Sequence, residues 1–281
     1  MSSQALALKR ALLPFVNTVL NGLVSEHRSK QLANSGGEHG TRLAGVIASM
    51  KARGSGETAQ IIASIEGERA RMLTLGGDLV DGSLGESSAI DAGKSIKQAV
   101  AVSKPKNGAA LLYSLVREFK PTNAIELGTN VGISAAYQAT ALNERGTLTT
   151  FDVSPYRVRL ARQLHAALNI SNIRYEIGLF DETLPTALQT LDPVDYAYID
   201  GNHRYQPTID YFNLIWRHTA EDALFVFDDI RWSGEMKLAW QRIATDPRVA
   251  LAVNFHSMGV CFTKRSAPLS NFYFSQAVLR V

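Results

Sequence analysis

Two stretches concentrate side chains that could do chemistry. Tyr196-Ala-Tyr-Ile-Asp-Gly-Asn-His-Arg-Tyr205 sets Asp200 and His203 three residues apart, and Phe225-Val-Phe-Asp-Asp-Ile-Arg-Trp232 closes an apolar run on the pair Asp228 and Asp229. If the apolar runs are neighbouring parallel strands, the carboxylates of Asp200, Asp228 and Asp229 meet at one edge of the sheet. Carboxylates so crowded repel and raise one another's pKa unless a cation or bases lie among them. A divalent metal held by these three is the economical answer, and oxygen ligands with room for water suit Mg²⁺, with Mn²⁺ or Ca²⁺ as alternatives, better than zinc. Histidine is the side-chain type best suited to exchange protons at physiological pH, so His203 is a candidate general base, against the alternative of a structural loop histidine. Trp232 reads as a core residue at a helix start, with walling a planar substrate as its other reading.

A third stretch, Asn123-Ala-Ile-Glu-Leu-Gly-Thr-Asn-Val-Gly-Ile-Ser134, reads as strand, tight turn and helix. Gly128 and Gly132 would let backbone N–H groups approach a ligand at the helix N-terminus, where the dipole favours carboxylate or phosphate. A dinucleotide site wants a further glycine where Asn130 stands, which counts against a nicotinamide oxidoreductase. Asp152 ends the next apolar run, where an acid can accept ribose hydroxyls, and it also precedes the helix-start pair Ser154-Pro155.

These residues need a scaffold that brings strand ends together. Strand-like runs at 124–127, 147–151, 173–177, 196–199 and 224–227 alternate with helical stretches at 133–142, 156–168, 182–191, 208–218 and 235–244. Such alternation predicts a mostly parallel sheet covered on both faces, with ligands at the carboxyl ends of the strands. Runs at 249–255 and 258–263, separated by His256 and Ser257, predict an antiparallel hairpin. Residues 1–102 are helix-like, at 6–13, 43–50 and 61–73 in particular. The glycine-rich stretch 76–85 has the composition of a loop or a flap over the site. We divide the chain into a helical cap or dimerisation region, 1–102, and a ligand-binding domain, 103–281.

The 281 residues, 46% hydrophobic, can bury one large core or a medium core with an appendage. A net charge of +3 without basic runs gives no sign of nucleic acid as a partner. The apolar stretch 11–24 is broken by Pro14, Asn17 and Asn21 and is too short to span a membrane. One cysteine, Cys261, set between Val260 and Phe262, excludes an internal disulfide framework, reads as a packed thiol and fits a reducing cytoplasm. His165 and His218 fall in helical stretches, and His27 and His39 outside the core.

Glu126-x-Gly128-x-x-x-Gly132-x-Ser134 resembles motif I of the class I S-adenosylmethionine (SAM)-dependent methyltransferases. The resemblance covers roughly 103–265 and implies a Rossmann-like α/β sheet of seven strands, the last antiparallel, behind an N-terminal helical region. It implies that Glu126, Gly128, Thr129, Asn130, Gly132 and Ser134 hold the methionine end of SAM. Asp152 and Val153 would take the ribose, Gly178 and Phe180 the adenine, and Asp200 the edge of the cofactor. Asp200, Asp228 and Asp229 resemble the metal ligands of the catechol and caffeoyl-coenzyme A O-methyltransferases, although Asp229 stands where that branch has asparagine and His203 where it has a catalytic lysine. The signatures Ile199-Asp-Gly-Asn-His203 and Asp228-Asp-Ile-Arg-Trp-Ser233 are similar to those of uncharacterised bacterial methyltransferases. The expectation is therefore SAM-dependent O-methylation of a small hydroxylated molecule, with Asp200 and His203 catalytic and a homodimer as the assembly. N-methylation and a non-catalytic SAM-binding protein are the alternatives.

Overall fold

The computed structural model describes residues 29–34, 36–51, 56–79, 91–255, 257–264 and 272–274. The stretch 6–13, His27, His256 and all but the start of the glycine-rich stretch 76–85 lie outside the described residues. Five parallel strands are laid down in turn: β1 (Asn123–Leu127), β2 (Thr147–Asp152), β3 (Ile173–Ile177), β4 (Val194–Ile199) and β5 (Thr219–Phe227). β6 (Val249–Phe255) and β7 (Met258–Lys264) form the expected hairpin, with Phe255 opposite Met258. β7 slots antiparallel beside β5, so the order across the sheet is β3-β2-β1-β4-β5-β7-β6-β8. The sequence reading stopped short of β8 (Phe272–Phe274), a three-residue edge strand parallel to β6, too short for alternation to reveal it.

The side-chain period of two sorts each strand onto two cores. On β4, Tyr196 and Tyr198 face the layer of α1 (Gly37–Lys51), α4 (Lys106–Phe119) and α5 (Ile133–Leu142). Ala197 and Ile199 face α7 (Phe180–Leu188), α8 (Tyr205–Arg217) and α9 (Gly234–Ala244). A third cluster joins α2 (Glu57–Thr74) and α3 (Ile96–Ala101) to α4, α5 and α6 (Pro155–Ala167) through Ile65, Met72, Val100, Tyr113 and Tyr137. Leu43, Val46 and Ile47 of α1 pack into the sheet core itself. His39, expected outside the core, stacks on Phe262 of β7 with ring centroids 4.4 Å apart. Cys261 is fully buried, and burial pushes its thiol pKa up. No helix among the described residues is long and apolar enough to cross a membrane.

The start of α3 carries a reciprocal cap: Ser95 accepts from the Gln98 N–H, and Gln98 accepts from the Ser95 N–H. This fixes the strap 95–104, which leads back across the carboxyl ends of the strands.

Candidate active site

A cavity of about 470 Å³ opens at those strand ends. That volume suits a nucleoside-sized ligand. Of the residues singled out from sequence, Gly128, Thr129, Asn130, Ser134, Asp152, Val153, Phe180, Asp200, His203 and Asp229 line it. Glu126, Gly132, Gly178 and Asp228 do not.

At one end, the β1 turn is tied to β2. The Gly128 and Thr129 N–H groups donate to the Phe151 carbonyl at 2.9 and 3.0 Å, and Gly132 N–H donates to Thr129 at 2.9 Å. The Asn130 N–H donates to Asp152 Oδ2 at 2.7 Å. These four N–H groups are thus bonded within the protein. Gly128 adopts φ 107°, and a Cβ there would stand 2.3 Å from the Asp200 carbonyl oxygen, so glycine lets β1 and β4 end side by side. Gly132 gives room to α6 instead, since its Cβ would lie 2.7 Å from Ala161 and 2.8 Å from His165.

Glu126 is fully buried beneath the turn. It accepts from Gln138 Nε2 at 2.7 Å and Thr150 Oγ1 at 2.6 Å, and Thr129 and Thr150 hydroxyls meet at 2.7 Å. Because Thr150 spends its proton on Glu126, Thr129 donates to Thr150. Burial pushes the Glu126 pKa up to about 7 against these hydrogen bonds. Its role is therefore to brace the turn from below. Asp152 accepts from the N–H of Asn130 and, at 2.9 Å, of Ser154. Burial raises its pKa, while those N–H groups and Arg157 oppose the rise.

Asn130 shows why a glycine is not needed in its place. It takes φ 47°, a left-handed conformation that asparagine tolerates. Its amide donates to Ala99 O at 2.9 Å and Ser103 Oγ at 3.2 Å, and its oxygen accepts from Arg157 at 3.2 Å. Arg157 in turn pairs with Asp91 at 2.7 Å. The strap and its anchor Asp91 were missed by sequence reasoning, which offered from 1–102 only the stretch 76–85 as a flap over the site.

At the other end, β4 and β5 deliver the acids. Asp200 Oδ1 lies 3.7 Å and Asp229 Oδ2 3.8 Å from His203 Nε2. Potential ligand atoms of Asp200, His203 and Asp229 all lie within 4.8 Å of one another. Asp228, expected beside them as a metal ligand, is otherwise engaged. Asp228 is 2% exposed and pairs with Lys104 of the strap, accepts from Tyr198 OH at 2.5 Å, and takes the Asp229 N–H at 2.7 Å. Tyr198 OH also contacts Asp200 Oδ2 at 2.9 Å. Burial and then Asp228 raise the Asp200 pKa well above the usual carboxylate range, with Lys104 opposing; Asp229 shifts the same way for the same leading causes. Trp232, read as core, is 74% exposed, one residue before the α9 cap Ser233.

Comparison with known proteins bears on the fold that carries this arrangement. Residues 125–230 match a family described as a methyltransferase domain. That stretch runs from β1 to just past β5 and holds both ends of the cavity, so the site lies within the part of the chain that is similar to a methyltransferase domain. A catechol O-methyltransferase of Niastella koreensis is 27% identical over 160 residues, 56% of this chain and 70% of that one. An uncharacterized mimivirus protein is 38% identical over 71 residues, 24% of this chain and 32% of its own length. Over the aligned stretches the chain spans less than half the length of that protein and of a further mycobacterial relative. The methyltransferase domain shares its fold with the S-adenosylhomocysteine-bound methyltransferase PaMTH1 of Podospora anserina, at a TM-score of 0.56 and 12% identity, covering 79% of this chain and 94% of that one.

Proposed function

We propose that the chain is a SAM-dependent O-methyltransferase acting on a small hydroxylated molecule. One observation carries the reading: a single cavity joins the buried acid of a nucleoside site, Asp152, to an imidazole flanked by two carboxylates, His203 between Asp200 and Asp229. SAM, when bound, supplies the electrophilic methyl group; the chain supplies orientation and a proton acceptor.

Asp152 keeps lone pairs beyond those taken by Asn130 and Ser154, and these accept ribose hydroxyls. Phe180 packs on the backbone of Gly201, where a Cβ would come within 2.6 Å of its ring, and so presents a fixed apolar wall for a base. Thr129 and Ser134 edge the cavity at the start of α5, whose dipole favours the carboxylate of a methionine moiety. His203 takes the acceptor hydroxyl's proton as oxygen attacks, and Asp229, 3.8 Å from Nε2, faces the imidazolium formed. Asp200, His203 and Asp229 also fit a divalent cation, by donor type and mutual distance. Such a cation would lower the pKa of a bound hydroxyl.

Calorimetric titration with S-adenosylhomocysteine tests the cofactor, and no binding at high micromolar concentration sinks the proposal. Once an acceptor is found, His203→Ala is expected to keep cofactor affinity and lose turnover by about 10²-fold or more. Unchanged turnover would remove His203 as the base.

A further inference from the structure

Lys104 is an unusual lysine. It is 9% exposed, yet it edges the cavity, and its ammonium is spent on Asp228, 124 residues along the chain. The structure makes room for it: a Cβ at Gly108 on the first turn of α4 would lie 2.7 Å from Lys104 Cε. Its backbone is pinned from α2, where Arg69 donates to the Lys104 carbonyl at 2.7 Å and pairs with Glu66 at 3.1 Å.

Asp228 is then saturated. One oxygen receives Lys104 and the Asp229 N–H, and the other receives Tyr198 OH. A carboxylate buried this deeply is stable only when its charge is met. Asp229 turns the opposite way, with φ 50° aiming its carboxylate at His203. The two neighbouring acids thus have different fates: one is closed by a lysine and the other faces the cavity.

We infer that Lys104 is the positioning residue of the acceptor end: its ammonium, in place of a metal ion, is the cation of Asp228, which leaves Asp200, His203 and Asp229 as the set that meets the ligand. The inference rests on the proposed reading of this cavity as the reactive site. It is a statement about which carboxylates are available, so a bare cation can probe it without any acceptor.

The test is titration of the full chain with Mn²⁺, followed by water-proton relaxation, for the wild type, Lys104→Met, Lys104→Arg and the double variant Lys104→Met with Asp228→Asn. Freeing Asp228 should tighten Mn²⁺ binding on the order of tenfold or more, because an unpaired buried carboxylate recaptures a cation. Lys104→Arg, which keeps the charge, and the double variant, which has no acid to free, should both stay within about threefold of wild type. Equal or weaker binding by Lys104→Met, binding by none of the proteins, or a gain that survives in the double variant overturns the inference. If Lys104→Met does not melt cooperatively, Lys104→Gln takes its place under the same criteria. S-adenosylhomocysteine calorimetry on the same samples separates the two ideas: its failure in the wild type overturns the methyltransferase reading and leaves the Mn²⁺ comparison to stand or fall alone.

Discussion

The two ends of the cavity solve the same problem, burying carboxylates, in different ways. At the Asp152 end, proposed to seat a nucleoside, Asp152 is met by the backbone N–H groups of Asn130 and Ser154, and Glu126 by the uncharged side chains of Gln138 and Thr150. At the acceptor end, Asp228 is met by a full charge from a distant strap, while Asp200 and Asp229 are left with raised pKa values around a histidine. Dipoles fixed by secondary structure give a rigid, neutral-tolerant seat. Opposed charges give a site that responds to protons and cations. The first suits holding a cofactor in one pose, and the second suits moving a proton.

The comparison breaks most severely where the two ends touch. Gly128→Ala sets a Cβ 2.3 Å from the Asp200 carbonyl oxygen at φ 107°. Backbone strain of about 1–3 kcal/mol and overpacking of a similar size should add, and urea unfolding measures the sum. A loss below about 1 kcal/mol would mean that the β1 turn and the β4 end are not rigidly joined.

Asp152→Ala is expected to weaken S-adenosylhomocysteine by about 10²-fold, the scale for truncating a buried hydrogen-bonded charge, since it removes a ligand and releases the Asn130 N–H. Lys104→Met, at the other end, should change that affinity by less than about fivefold. Calorimetry that finds the two variants equally damaging would refute the division of labour between the ends.

This division also explains what the sequence revealed. The nucleoside end is written in short runs: a strand, a turn and an acid at the end of the next strand, so Gly128, Asn130, Asp152 and Val153 were legible and do line the cavity. Strand periodicity likewise placed Asp200, Asp229 and His203 together. It placed Asp228 at that edge too, but nothing local signals that a lysine 124 residues upstream will close it. Asp91 escaped for the same reason: its ties to Ser154 and Arg157 are wholly tertiary. Glu126 was legible as a motif residue but not as a buried brace, since the partners that turn it inward, Gln138 and Thr150, lie on two other elements.

Proton titration sharpens the contrast. Glu126 has its pKa raised from an ordinary 4.5 to about 7 by burial, so the folded chain holds a proton there that the unfolded chain gives up. Its contribution to stability is complete below pH 4.5 and is lost as pH rises through about 7, by up to about 3 kcal/mol at roughly 1.4 kcal/mol per unit. His165 acts in the opposite sense. Its pKa falls to about 4 by burial, with Nε2 donating to Gly132 O at 2.8 Å and Nδ1 accepting from Tyr175 OH at 2.6 Å, so it loses stability as pH falls from 6.5 toward 4. The difference between wild type and Glu126→Gln isolates the first. Glu126→Gln should gain on the wild type between pH 5 and pH 8, read from urea unfolding at both. An equal pH slope in the two proteins would show that Glu126 is not the titrating brace.

The smallest effect belongs to Trp232, just past the acid pair in sequence. A tryptophan buried at a helix start would cost about 3–5 kcal/mol when cut to alanine. Trp232 is 74% exposed, and its backbone N–H, donated to Asp229 O at 2.8 Å, survives the substitution. Trp232→Ala should therefore shift stability by no more than about 0.5 kcal/mol and leave S-adenosylhomocysteine affinity unchanged. Trp240 is the internal control: it is 3% exposed, its indole N–H is bonded to Asn254, and its ring packs against Phe227, so Trp240→Ala should carry the full core penalty. If thermal melting finds the two variants alike, the Trp232 indole is held by the protein and is not open surface. If they differ as expected, the Trp232 ring lies outside the packed core, on the surface just past the acid pair of the charged end in sequence.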